Sequence, residues 1–133
     1  MRRESVLRLL LFLSLRNNSM AVLLKVYGHI YPASELLEKD LSLALQSAIQ
    51  DTISLDIPLL QRDKDMLRIS FEGMYFPEDE IIKVFERHLE RCHHGKLDIL
   101  DMSEWHMTRY FFEGGELQKR SASLNHVLDY SGF

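Results

Sequence analysis

Apolar and polar residues alternate along several short stretches of this chain, and in two longer stretches they recur at helical spacing. Val22, Leu24, Val26 and Ile30 alternate with Leu23, Lys25, Tyr27 and His29. That period of two, rich in β-branched and aromatic residues, predicts a strand over 21–31. Pro32 suits the first turn of a helix, and Leu37, Leu41, Ala44, Leu45 and Ala48 carry that helix over 33–50. Glu35, Glu38 and Asp40 lie early in it, where the helix dipole favours them. Ile53, Leu55 and Ile57 predict a short strand that Pro58 ends. Residues 61–65 read as a polar loop. Leu67, Ile69 and Phe71 alternate with Arg68, Ser70 and Glu72 in a further strand, and Gly73 punctuates its end.

A second helix is predicted over 77–93. Pro77 opens it, Glu78, Asp79 and Glu80 load its first turn, and Arg87, Arg91 and His93 load its end. Gly95 stands where a C-terminal glycine belongs. Ile81, Val84, Phe85, Leu89 and Cys92 form the apolar face. Leu97 and Ile99 suggest a short strand, and 105–113 a strong aromatic one. Gly114-Gly115 then joins it to a strand over 117–124, because a two-residue hairpin turn needs positive φ at both positions.

The predicted order is β-α-β-β-α-β, then a hairpin. This is an α+β domain: a two-layer antiparallel sheet with two helices on one face, ferredoxin-like βαββαβ, plus a C-terminal β-hairpin. The chain has 133 residues, enough for one domain, and 46% of them are hydrophobic, enough for a core. The expected division is an N-terminal extension, 1–19, and a single domain, 20–133.

The extension differs from the rest. Arg2 and Arg3 precede an apolar run, Val6 to Leu15, that Arg8 interrupts. It has the outline of a signal segment but is shorter than the ~20 residues a membrane span needs. A short amphipathic helix is a second reading. The reading preferred here is an over-long start, with Met20 as the true one, because the periodic pattern begins just after it. A cytoplasmic location follows, or an exported or membrane-associated one if residues 6–15 act as a signal.

Charge narrows the partners. The net charge is -4, and the first 19 residues carry Arg2, Arg3, Arg8 and Arg16 against Glu4, or +3, which leaves -7 for the remainder. An acidic body repels phosphate backbones, so no nucleic acid is expected. The strand Leu67–Gly73 does not match the aromatic and basic motif of RNA-binding sheets. One cysteine, Cys92, cannot form an internal disulfide and fits a reducing compartment.

Four groups of residues carry candidate chemistry. His88, Cys92, His93 and His94, with Asp98 or Asp101, hold zinc-type ligands, and His88 and Cys92, four apart on the helix, share a face. The spacing matches no established zinc pattern, and a capped helix end explains it more simply. Asp98, Asp101, Glu104 and His106 hold paired carboxylates and a base, yet alternation alone predicts polar residues there. Ser121, Ser123, His126 and Asp129 have the residue types of a catalytic triad but no nucleophile-elbow motif. Trp105, Met107, Arg109, Tyr110, Phe111 and Phe112, with Tyr130 and Phe133 in the tail, place large groups on both faces of one strand. A two-layer domain leaves one sheet face open, and exposed aromatics, Met and Arg mark interaction surfaces.

No nucleotide-binding or short zinc-protease motif is present. The expected function is therefore a small non-catalytic module that docks a protein partner or forms a homo-oligomer through Trp105–Phe112, without a cofactor. The alternative is a small zinc-binding protein or acid–base enzyme that uses the cluster at 88–106.

Overall fold

The computed structural model describes residues 23–49 and 58–125. Eight elements follow one another: β1 (Leu24–Tyr31), α1 (Glu35–Ile49), β2 (Leu60–Asp63), β3 (Met66–Gly73), α2 (Glu78–His88), β4 (His94–Asp101), β5 (His106–Glu113) and β6 (Glu116–Ser123). Among the described residues, all strands belong to one antiparallel sheet in the order β2-β3-β1-β4-β5-β6.

The α+β class is as expected, but the sheet is not a four-stranded ferredoxin-like one with a separate hairpin. β4 is no edge; β5 and β6 continue the sheet beyond it, so the strand order across the sheet differs. The strand expected at 53–57 lies outside the described residues, as do residues 1–19, His126, Asp129, Tyr130 and Phe133. The strand that pairs with β3 is instead Leu60–Asp63, inside the expected polar loop. Arg62 is why so polar a sequence forms a strand there. Its guanidinium donates to Glu38 Oε1 (2.5 Å) and to the carbonyls of Ala33 (2.9 Å), Ser34 (3.2 Å) and Lys64 (3.0 Å). That group ties β2 to the start of α1, where Ser34 Oγ accepts the Leu37 N–H as an N-cap.

One side of the sheet meets both helices. Val26 and Ile30 of β1, Leu67, Ile69 and Phe71 of β3, Leu97 and Ile99 of β4, and Tyr110 and Phe112 of β5 form a single core with Leu37, Leu41 and Leu45 of α1 and Ile81, Val84 and Phe85 of α2. The Phe85 and Phe112 rings meet at 4.7 Å between centroids. The opposite side has no helix on it among the described residues, and Tyr27 and Tyr31 of β1 stand exposed there.

Two expectations about α2 change. The helix ends at His88, not near 93, because Leu89 turns to extended backbone (φ -63°, ψ 130°). Gly95 is therefore not a helix cap. It lies in β4 at φ +149°, pressed so close to β1 that an added Cβ would stand 2.1 Å from the His29 carbonyl oxygen. Gly114 (φ +63°) and Gly115 (φ +85°) close the β5–β6 hairpin as expected, with Glu113 paired to Glu116. No helix among the described residues is long and apolar enough to cross a membrane.

Candidate functional site

The cysteine–histidine cluster is dispersed. Early termination of α2 removes the shared helical face of His88 and Cys92. His88 Nε2 instead meets Asp40 Oδ2 at 2.7 Å and joins the two helices. Cys92 is exposed, with its Sγ 3.9 Å from Glu90 Oε2. His93 is buried, and its Nδ1 accepts the Glu90 N–H (2.8 Å), closing the turn after α2. His94 sits on β4 beside Tyr31, ring centroids 5.5 Å apart. Asp98 is held by Arg109 through two hydrogen bonds (2.7 and 3.0 Å). Among the described residues, no three His, Cys, Asp or Glu side chains converge as metal ligands.

In the carboxylate group, Asp101 is likewise committed to structure, as Asp98 is. Asp101 Oδ1 accepts from the N–H groups of Ser103 and Glu104 (both 3.0 Å) and from Ser103 Oγ (2.7 Å). Burial alone would raise this carboxyl, but those bonds outweigh it and hold Asp101 below the ordinary carboxylate range. Ser121 Oγ lies 3.4 Å from Thr108 Oγ1.

The aromatic strand divides as alternation requires. Tyr110 and Phe112 face the helices and are core; the Tyr110 hydroxyl donates to Glu78. Burial, reinforced by Glu78 and Asp79, raises that phenol well above its usual range. Met107 is on the other side but only 4% exposed. Of the six residues expected at an interaction surface, Trp105, Arg109 and Phe111 reach solvent. Trp105 adopts φ +53° in the β4–β5 turn, and its indole N–H donates to Asn125 Oδ1 (2.9 Å).

Register brings those residues together with others far away in sequence. Tyr27 and His29 of β1, Lys96 and Asp98 of β4, Arg109 and Phe111 of β5, and Arg120 of β6 share the open side. A basin of about 440 Å³ opens among His29, His94, Lys96, Phe111, Glu113 and Arg120. A second, of about 410 Å³, adjoins it across His29 and Lys96 and reaches Tyr27 and Arg68. The His29 and Tyr31 rings lie nearly parallel, 14° apart, at 6.1 Å. Arg120 covers the Phe111 ring at 5.3 Å. Burial, then Lys96 and Arg68, holds the His29 pKa below its ordinary value, with Asp98 opposing.

Net charge differs between the two layers. The helices carry seven carboxylates against three Lys or Arg. The open side carries Lys25, Arg68, Lys96, Arg109 and Arg120 against Asp63, Glu72, Asp98, Glu113 and Glu116, five of each sign. Asp98 is bound by Arg109, and Glu72 stands opposite Lys25. A larger depression of about 570 Å³ lies between the helices, but Asp40, Glu80, Lys83 and Arg87 line it with mixed sign. The open-side residues that sequence reasoning passed over are Tyr27, His29, Tyr31, Lys96 and Arg120. Alternation within β1 was the available signal for the first two, since it sets them opposite Val26.

No protein-family model matches this chain, and comparison with curated proteins and with solved structures found no match.

Proposed function

We propose that this chain is a non-catalytic binding module whose working surface is the open side of its sheet. One observation carries the reading: rings and cations gather around the open-side basins, while the helices carry seven carboxylates against three Lys or Arg. Of the polar candidates, His88 pairs the two helices, His93 and Asp101 close turns, and Asp98 is held by Arg109. The domain is read as an extended ferredoxin-like core. Its support is the antiparallel run β2-β3-β1-β4, with α1 and α2 as the two crossovers.

The test is affinity capture from an extract of the source cells with three full-length baits. These are the parent, the open-side variant Lys96→Glu/Arg120→Glu, and the helix-side control Lys39→Glu/Lys83→Glu. Material bound by the parent and the control but lost from the open-side variant supports the reading. Equal retention by all three, with unchanged melting temperatures, contradicts it.

A further inference from the structure

The geometry points to a particular ligand class for this surface: a short segment of single-stranded nucleic acid, held by base stacking and phosphate contacts. The inference rests on the open-side reading above and names its ligand. Sequence-tolerant binders of single strands combine a cationic track with flat rings on which successive bases stack. Both components are present here. Tyr27 (47% exposed) and Tyr31 (36% exposed) project from alternate positions of β1, with His29 between them and His94 beside Tyr31. Residues two apart on a strand are spaced by about 6.7 Å, so Tyr27, His29 and Tyr31 set three rings in a row along β1. Lys96 and Arg120 flank the basin beside that row, and Arg68 stands at its other side. Arg120 lies over Phe111 and presents a further flat cationic surface.

The net charge of the chain is acidic, but the two basins are lined by Arg68, Lys96, Arg109 and Arg120 against Asp98 and Glu113. Exposed aliphatic groups are scarce between the rings, whereas a protein-binding centre is apolar and depleted in charge. Duplex is a poorer fit, because its bases are stacked within it and cannot lie on these rings.

The test is fluorescence anisotropy of the full chain with labelled twelve-residue oligouridylate, oligothymidylate and a blunt duplex, at 50 mM salt. Saturable binding of a single strand, at least tenfold tighter than the duplex, is expected. Tyr27→Ala/Tyr31→Ala should weaken it by about tenfold or more, as loss of stacking does. Lys96→Ala/Arg120→Ala should weaken it too and flatten its salt dependence, since each phosphate contact adds roughly -0.7 to the log–log slope. Failure of both single strands to bind, or binding that ignores both double variants, overturns the inference. If single strands fail while capture still depends on Lys96 and Arg120, the nucleic-acid inference falls and the open-side reading stands.

Discussion

Gly95 shows how much one position can decide. It combines φ +149° with contact against the β1 backbone, so a side chain meets both strain and collision. Gly95→Ala should cost at least about 2 kcal/mol in urea denaturation. Gly114→Ala, where nothing lies within 4 Å of an added Cβ, should cost only about 1 kcal/mol for its positive φ. Equal midpoints for the two variants would refute the close packing of β1 on β4. His29 makes a second prediction. Its pKa is lowered in the native chain by burial first, then by Lys96 and Arg68. The unfolded chain therefore binds the proton more readily, and stability falls as pH drops below the ordinary histidine value. His29→Gln should flatten the stability profile between pH 7 and 5. A variant profile as steep as the parent's would show that other groups govern that range.

Among the elements, legibility followed local chemistry. The β5–β6 hairpin was readable because two adjacent glycines satisfy a turn that few other residues can adopt. The start of α2 was readable from Pro77 and its acidic first turn. Its end was not, because Arg87, Arg91 and His93 look like a helix terminus whether or not the backbone stays helical. β2 was missed because its inward residue, Arg62, is charged, and only the carbonyls of Ala33 and Ser34 and the Glu38 carboxylate make that position tenable. Charge-assisted bonds of this kind contribute about 1.5–3 kcal/mol each when they are made, so their loss should free the edge. Arg62→Met should lower protection from hydrogen exchange at Ser70 N–H, which bonds Leu59, while the β1–β4 amides keep theirs. Uniform loss across the sheet would mean that β2 is not a separately anchored edge.

For the whole molecule, the composition of each strand was visible in sequence, but the side of the sheet that the helices cover was not. Alternation separated Tyr110 and Phe112 from Arg109 and Phe111 without saying which pair is core. Burial under α2 decides it. The proposed surface was less legible still, since Tyr27, Lys96, Phe111 and Arg120 come from four strands and meet only through pairing register. Net charge is likewise an average over the chain: it hides the difference between an acidic helical layer and an open sheet side whose charges balance. Radical footprinting of isotope-labelled full chain tests whether that sheet side is the working surface. Labelling is compared in buffer and in an extract of the source cells. Reduced labelling of Tyr27 and Tyr31 in extract, with Leu36 and Leu43 on α1 unchanged, is the predicted result. Protection of the α1 leucines with the two tyrosines still fully labelled would contradict it and move the binding surface to the helices.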